Sequence, residues 1–374
     1  MTNEAPEQAN LRAEQGAASR SGDTQQPALG ATRLNEPEFV EQLERLIVEA
    51  GGEAGHGNNR FIRELMVTAL KLVTDQRDRG ELKLMSAAMR ELRHAYRVFA
   101  RYPDLKRISI FGSARTPPDH PDYAAAIEFS RIMADRRWAV ITGAGDGIMK
   151  AGHEGPGRES SFGLAIRLPF ETTANTVIAG DPKLITFKYF FTRKLIFVSQ
   201  SEAVAAFPGG FGTQDEIFEV LTLIQTGKSS MIPIVLVEGE NGDYWRHWIN
   251  YIERSLLNYG FISPEDIDLF HIAENPADAA DHVERFYRNY HSSRYVRDDL
   301  IIRLRHRLRD EDVAALHDEF ADELVRDGRI VQRGPYDLEE DHLDLPRICF
   351  HHNRRKFGVV RRLIDRINEF DPAV

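Results

Sequence analysis

The chain has 374 residues, of which 42% are hydrophobic and 28% charged, enough for one large domain with appendages or for two smaller ones. Acidic residues outnumber basic residues by 58 to 48, which argues against the broad basic face that binds a nucleic-acid backbone. We therefore predict no nucleic-acid partner. A single cysteine and the lack of any apolar run near about 18 residues predict a cytoplasmic protein with no membrane span.

The first segment of the chain, residues 1–35, is rich in Ala, Gln, Glu, Gly, Ser and Thr and carries almost no large apolar side chains. Such a segment buries too little surface to offset the entropy lost on folding, so we expect a disordered tail. Residues 36–105 differ, because apolar side chains recur there at helical spacing on both sides of the glycine-rich stretch 51–59. This pattern predicts a helical N-terminal region.

Residues 106–290 alternate short apolar runs with helical patterns, which is typical of β-α-β units. The pattern predicts an α/β fold, a doubly wound Rossmann-like parallel sheet with helices on both faces. The predicted strands are 108–111, 138–142, 162–166, 203–207 and 232–237. The predicted helices are about 122–136, one that starts near 148, 189–199, 213–225 and 244–257.

The last segment, residues 291–374, predicts a small α+β extension. An amphipathic pattern at 313–324 and another at 359–367 indicate helices, and 328–333 suggests a short strand. Cys349 has histidines two and three residues further on, but no second pair has the spacing of metal ligands. We therefore predict no metal site.

The most informative motif is FPGGFGTQDEIFE, Phe207–Glu219, which follows a predicted strand and opens a helix. Pro208 has no backbone N–H and ends the strand. Three glycines in the motif let backbone amides approach a ligand closely: Gly209, Gly210 and Gly212. A glycine-rich turn at a helix start favours an anion site, although a tight turn without any ligand explains the same residues.

The helix that follows this turn carries the polar side chains of the motif. We expect Thr213 to cap the helix, with Asp215 and Glu216 in its first turn, where the helix dipole favours negative charge. Glu216 would then lie about one helical turn from the glycines.

A second glycine-rich turn, TGAGDGIM, runs from Thr142 to Met149. Its first two glycines, Gly143 and Gly145, match the dinucleotide-binding fingerprint GxGxxG, but the third falls one position early, at Gly147. An NAD(P)-dependent oxidoreductase is therefore a weak alternative.

A third turn, Gly112-Ser113, follows the first predicted strand. Because the carboxyl ends of parallel strands line one crevice, we expect the three turns to surround one phosphorylated ligand. The residues added by the second and third turns are Gly112, Ser113, Gly143, Gly145 and Asp146.

Two basic residues, Arg193 and Lys194, interrupt an otherwise apolar helical run, FKYFFTRKLIF. One interpretation is that both side chains extend along the surface to solvent. The other is that Arg193 points into the crevice, where its planar guanidinium suits a phosphate or a carboxylate.

The three motifs together resemble a known family. PGGFGTQDE is similar to the PGGxGTxxE signature of the LOG ("lonely guy") family of cytokinin riboside monophosphate phosphoribohydrolases. TGAGDGIM resembles that family's GGGxxGxM element with Ala144 at the middle glycine, and Arg193-Lys194 matches its RK pair. The longer stretch from YFFTRK to LIQTGK looks closer to the bacterial nucleoside 5′-monophosphate nucleosidases. The resemblance covers about residues 107–290.

The resemblance implies an enzyme that hydrolyses the N-glycosidic bond of AMP-like nucleoside 5′-monophosphates. It implies that Arg193 and Glu216 are catalytic. The resemblance does not identify the proton donor to the leaving base, for which Asp146 is our candidate. It also implies that the 5′-phosphate is held by Gly209, Gly210, Gly212 and Thr213. Such a reaction requires no cofactor, and members of the family are usually dimers or larger homo-oligomers. Gln214-Asp215 departs from the Leu-Glu common in the plant enzymes. A non-catalytic nucleotide-binding protein of the same fold is the alternative.

Overall fold

The computed structural model describes residues 36–168 and 174–371, so the tail predicted at 1–35 lies outside it. The chain divides into two compact units, one that ends at Ser86 and one that begins at Ala87. Three helices occupy the region predicted to be helical: α1 (Pro37–Glu49), α2 (Asn59–Thr74) and α3 (Arg79–Phe99). Leu43 and Ile47 of α1 are buried, and Glu44 forms an ion pair with Arg63 of α2.

The second unit contains a sheet of seven parallel strands with helices between them. Its strands are β1 (Lys106–Phe111), β2 (Trp138–Thr142), β3 (Ser161–Ile166), β4 (Leu184–Phe187), β5 (Ala203–Ala206), β6 (Ile234–Leu236) and β7 (His271–Ile272). The helices are α4 (Pro121–Asp135), α5 (Ile148–Glu154), α6 (Phe190–Ser199), α7 (Phe211–Gln225), α8 (Tyr244–Tyr251) and α9 (Pro276–Phe286).

Alternate residues of each strand pack against opposite faces of this sheet, as the period of a strand requires. Ile108 and Val140 belong to the apolar core on one face, which includes residues of α4 and α9. Phe111 and Ile141 belong to the core on the other face, which includes residues of α6 and α7. The predicted α/β fold with helices on both faces is therefore confirmed.

The order of the strands, β4-β3-β2-β1-β5-β6-β7, reverses direction between β1 and β5. The chain moves outward from β1 to β4, returns to the other side of β1, and then moves outward again. The loops that follow β1 and β5 consequently leave the same edge of the sheet side by side, and the Ser113 N–H donates to the Pro208 carbonyl at 3.1 Å. Such a switch point is where open α/β sheets bind ligands.

The predicted start of α7 is wrong. The helix begins at Phe211, with Gly210 in extended conformation at the N-cap, so Thr213 is inside the helix and does not cap it. Asp215 and Glu216 consequently lie beyond the first turn. A glycine at the cap contributes no side chain, and the first amides of α7 are left facing outward.

Other predicted elements differ in extent. The strands β4 and β7 have only four and two residues, too short for a recognisable pattern. The helix predicted at 244–257 is α-helical only to Tyr251 and continues as a π-helical segment, Ile252–Leu257. A 3-10 helix follows at Pro264–Leu269.

The C-terminal part of the chain forms a four-stranded antiparallel sheet with two helices. The elements are β8 (Tyr290–Val296), β9 (Asp299–Leu304), α10 (Asp310–Leu324), β10 (Val325–Arg333), β11 (Arg347–His352) and α11 (Phe357–Glu369). Ile302 and Ile348 of this sheet belong to the same apolar core as Ile217 of α7. The boundaries predicted at 105 and 290 stay predictions. Among the described residues, no helix combines the length and apolarity needed to cross a membrane.

A buried ion triad joins the strands of this second sheet to the loop before β11. The Glu339 carboxylate, with no exposed surface, lies 2.8 Å from Arg303 Nη2 and 2.8 Å from Arg347 Nε. Burial alone raises the pKa of Glu339, but hydrogen bonds from Arg347, the Tyr336 N–H and Arg303 outweigh it and lower the pKa to about 2.

We predict that Glu339→Gln lowers the free energy of unfolding by about 3–5 kcal/mol at neutral pH, because it leaves two buried guanidinium groups without their counter-charge. Since the folded-state pKa is lowered, the carboxylate stabilises the wild type above its unfolded pKa of about 4.3. That stabilisation is lost as the pH falls toward about 2. Urea unfolding at several pH values measures both effects. The exposed neighbour supplies the control, Glu340→Gln, and equal unfolding midpoints for the two variants would contradict the prediction.

Candidate active site

A cavity of about 1210 Å³ opens at the carboxyl ends of β1, β2 and β5. Ten of the residues singled out from the sequence line it: Gly112, Ser113, Gly143, Gly145, Arg193, Gly209, Gly210, Gly212, Thr213 and Glu216. Asp146 does not line the cavity, and its side chain is exposed. The three turns and the basic helix thus meet at one place.

The Pro208–Gly212 turn packs so closely on its surroundings that no residue with a side chain fits at Gly209. A Cβ atom on Gly209 would lie 2.1 Å from Thr213 Oγ1 and 3.0 Å from the Ser113 nitrogen. Thr213 is buried at the third position of α7. Since the first amides of a helix lack internal partners, the turn and the start of α7 present N–H groups to an anion.

The second glycine turn contains a strained residue. Ala144 has φ +62°, in the left-handed region that glycine adopts readily and alanine does not. The peptide is held there from both sides. The Ala144 N–H donates to Thr142 Oγ1 at 3.0 Å, and its carbonyl accepts from the Asn175 N–H at 2.8 Å. These two hydrogen bonds therefore hold Ala144 in its strained conformation, since a strained residue persists only where the surrounding structure fixes it.

A buried His153–Asn175 pair supports the same turn and had no signal in the sequence. Asn175 Nδ2 donates to the Gly145 carbonyl at 3.0 Å and lies 3.2 Å from His153 Nδ1. His153 Nε2 lies 3.0 Å from the Phe162 carbonyl, which only a protonated Nε2 can satisfy. Burial lowers the pKa of His153, so the ring is neutral with Nδ1 as acceptor. Sequence spacing could not reveal this pair because its partners come from separate segments.

Arg193 lies in the cavity and does not extend along the surface to solvent. Its guanidinium carbon is 5.1 Å from the centre of the Phe190 ring and 5.7 Å from that of Phe197. A Cβ atom on Gly143 would lie 3.7 Å from Arg193 Nη1, so the side chain reaches the second glycine turn. Glu91 of α3 holds the start of α6 by accepting from the Lys188 N–H at 2.9 Å.

Glu216 is the carboxylate at the centre of the site. Only 6% of the residue is exposed. Its Oε1 lies 3.8 Å from Arg193 Nη2, and its Oε2 lies 3.7 Å from Lys194 Nζ. Burial raises the pKa of Glu216, and the attraction of Lys194 and Arg193 offsets burial only in part, leaving the pKa at about 7. Glu216 can consequently exchange a proton near neutral pH.

Lys194 connects three carboxylates of α7. Its Nζ lies 2.8 Å from Asp215 and 2.6 Å from Glu219, in addition to its contact with Glu216. The side chain is 12% exposed, so these pairs are only weakly screened by solvent. The two basic residues therefore have different contacts. Arg193 faces the cavity, and Lys194 forms ion pairs with the carboxylates at and around Glu216.

The arrangement combines the glycine turn 208–212, which we call the anion-binding turn because its N–H groups suit an anion, with the Glu216 carboxylate one helical turn away. It can bind a phosphate at the start of α7 and stabilise positive charge that develops beside Glu216. Among the described residues, no group of three or more His, Cys, Asp and Glu side chains is placed to hold a metal ion.

Comparisons with known proteins point to one group of relatives. A family model described as "Possible lysine decarboxylase" matches residues 143–283. Cytokinin riboside 5'-monophosphate phosphoribohydrolase LOG7 of Arabidopsis thaliana is 28% identical over 165 residues, which cover 42% of this chain and 72% of that protein. LOG1 of the same plant is 30% identical over 168 residues, 42% of this chain and 73% of that protein. A molybdenum cofactor binding protein from Rippkaea orientalis is structurally similar with a TM-score of 0.35 and 21% identity, covering 48% and 96% of the two chains.

We predict that Lys194→Met raises the pKa of Glu216 above about 7, because it removes a positive charge that favours the ionised carboxylate. The fraction of Glu216 ionised at neutral pH then falls. The carboxyl ¹³C shift of Glu216, followed across the pH range, measures the change, and Glu216→Gln assigns the signal.

The matched control is Lys228→Met, which removes one positive charge beyond the far end of α7, where ionic screening is strong. We expect Glu216 to titrate as in the wild type in this variant. An unchanged Glu216 titration in Lys194→Met would show that Lys194 does not set the charge of the site.

Proposed function

Because the chain belongs to the LOG family of phosphoribohydrolases, we propose that it hydrolyses the N-glycosidic bond of nucleoside 5′-monophosphates. The products are a free base and ribose 5-phosphate. We propose AMP or a closely related nucleotide as the substrate. The names of the relatives specify a riboside 5'-monophosphate, which shares its sugar and its phosphate with AMP.

The observation that carries the proposal is the position of Glu216 relative to the anion-binding turn. Thr213 and Glu216 are three residues apart on α7, and both line one cavity with the glycines of the turn. With a 5′-phosphate on the turn, the ribose extends toward Glu216. One sugar ring separates a 5′-phosphate from C1′. That distance is comparable to the length of one helical turn, which rises about 1.5 Å per residue.

The chemistry needs a group that stabilises positive charge on the sugar. In the proposed reaction the C1′–N bond breaks and its electron pair leaves with the base, while a water oxygen bonds to C1′. Ionised Glu216 stabilises the cation-like sugar and accepts a proton from that water. The leaving base takes up one proton, so that the atoms of one water molecule are shared between ribose 5-phosphate and the free base.

Arg193 is proposed to orient the reacting groups. Its guanidinium lies between Glu216 and the second glycine turn, where it can contact the substrate and keep the carboxylate ionised. Gly112, Ser113, Gly143 and Gly145 are proposed to complete the walls around the sugar and phosphate. No lysine is found among the described residues that line the cavity, which speaks against a Schiff-base decarboxylase despite the name of the family model.

A homo-oligomer is the proposed assembly. On α6 three large apolar side chains are about half exposed: Phe190, Phe191 and Leu195. This surface supports an interface with a second copy of the chain. The apolar side chains Ile217 and Val220 of α7 are buried in the core and are not available to such an interface.

We predict that the protein releases adenine and ribose 5-phosphate from AMP, and that Glu216→Gln lowers kcat at least about a thousandfold while AMP still binds. The amide keeps the shape of the side chain but neither ionises nor accepts the proton of water. Chromatography of a panel of nucleotides measures turnover, and calorimetry measures binding.

Glu253→Gln serves as the control, since Glu253 is exposed and does not line the cavity. We expect its turnover to stay within a few-fold of the wild type. A wild-type protein that binds AMP but releases no base from any common nucleotide would favour the non-catalytic binding protein. Binding of a nicotinamide cofactor with hydride transfer would favour the oxidoreductase.

We predict that the protein has a mass in solution of at least twice the 42.6 kDa of one chain. Phe191→Glu places a charge on the exposed surface of α6 and should shift the mass toward the single chain, because the interface would have to desolvate that charge. Light scattering after size-exclusion chromatography measures both masses. A wild-type mass of 42.6 kDa at micromolar concentration would contradict the proposed assembly.

A further inference from the structure

A chain of hydrogen bonds connects α8 to the anion-binding turn. Trp248 Nε1 donates to Gln214 Oε1 at 2.8 Å, and Gln214 Nε2 contacts the Tyr244 hydroxyl at 2.7 Å. The Tyr244 hydroxyl contacts the Gly209 carbonyl at 2.5 Å. We call the side chains of Trp248, Gln214 and Tyr244 the relay. None of them was assigned a role above.

The donor and acceptor roles along the relay follow from chemistry. An indole N–H can only donate, so the Gln214 oxygen faces Trp248 and its amide nitrogen faces Tyr244. The Tyr244 hydroxyl then accepts from Gln214 and has its single proton left for the Gly209 carbonyl. In every hydrogen bond of the relay the donor lies on the side of Trp248 and the acceptor on the side of Gly209, so each bond polarises the next.

The relay ends on a part of the backbone that has no side chain to fix it. Gly209 and Gly210 lie between the end of β5 at Ala206 and the start of α7 at Phe211. Glycine backbones rotate more freely than any other, so an unanchored Gly209–Gly210 peptide would lose a fixed orientation. Because the peptide is planar and trans, a carbonyl held toward Tyr244 turns the Gly210 N–H to the opposite side, away from α8.

The first turn of α8, which carries Tyr244, is itself held in place by hydrogen bonds. Glu238 Oε2 accepts from the Tyr244 N–H at 2.9 Å, and the Trp245 indole donates to the Val237 carbonyl at 2.9 Å. The first turn of α8 is thereby fixed to the residues after β6. Trp248, 8% exposed, packs edge-on against Phe270 with ring centres 5.1 Å apart.

We propose that Gln214 and Tyr244 are positioning residues that hold the Gly209–Gly210 peptide with its N–H toward the substrate phosphate. The inference rests on the proposed function, in which that turn binds a 5′-phosphate. A leucine side chain at position 214 could neither accept from Trp248 nor donate to Tyr244, so Gln214→Leu would break the relay at its middle.

The test compares a ligand with a phosphate and one without. In protein that carries Glu216→Gln, which stops turnover, calorimetry gives Kd for AMP and for adenosine. We expect Tyr244→Phe, and separately Gln214→Leu, to weaken AMP roughly tenfold, the scale of one lost hydrogen bond to an aligned donor, and to change adenosine less than twofold. Because the two residues act in series on one carbonyl, the double variant should bind AMP no worse than Tyr244→Phe alone.

The control is Tyr251→Phe, the same change on an exposed tyrosine of α8, which should leave both Kd values unchanged. Circular dichroism melting checks that each variant is folded, and Tyr244→Phe keeps the ring that packs on Trp245. With Glu216 intact, KM for AMP should rise about tenfold while kcat stays within twofold, since uniform binding is lost and not transition-state stabilisation.

Three results would overturn the proposal: an unchanged Kd for AMP, an equal loss for AMP and adenosine, or additive losses in the double variant. The failure of the relay and that of the proposed function remain distinguishable. If the wild type hydrolyses AMP while Tyr244→Phe binds it normally, only the relay fails. If the wild type releases no base but AMP binding depends on Tyr244, only the enzymatic function fails. If AMP does not bind at all, both fail.

Discussion

The site depends on how closely two strand-end loops approach each other at the switch point between β1 and β5. The Ser113 N–H donates to the Pro208 carbonyl, and Gly209 comes so near that a Cβ atom on it would overlap Thr213 and crowd the Ser113 nitrogen. This contact sets the distance between the first turn and the anion-binding turn. It also fixes where α7 starts, and thereby where Glu216 lies. The strand order brings the loops together, and the absence of one Cβ atom lets them touch.

The charge around Glu216 results from opposing effects, of which burial is the largest. Burial disfavours the carboxylate, whereas Lys194 and Arg193 favour it, and Glu219 and Asp215 oppose them. The two basic residues are adjacent in the sequence but act differently. Lys194 is tied to α7 by Asp215 and Glu219, while Arg193 faces the cavity and packs against the rings of Phe190 and Phe197. A site built this way is sensitive to a single charge.

The sequence predicted the parts of the site whose signal is local. The glycine turns, Arg193 and Glu216 are visible as short motifs after apolar strands, and ten of the eleven candidate residues line one cavity. The start of α7 was misplaced because Thr213 is a good capping residue in principle, whereas the cap is Gly210. The supporting residues had no signal. Asn175, His153 and Tyr244 are ordinary in their own segments. Only the fold brings Asn175 and Tyr244 to the backbone of the turns, and His153 to Asn175. Short strands such as β7 were missed because two residues have no period.

The apolar core behind α7 has a consequence for how the protein is made. Ile217, on the helix that carries Glu216, belongs to the same core as Ile302, Ile348 and Leu363, and α11 packs on α7. Those C-terminal residues are synthesised well after the glycine turns and Arg193. While the chain is still being synthesised, the back of α7 therefore lacks part of the surface on which it rests. The support behind Glu216 is complete only when the C-terminal residues pack on the back of α7.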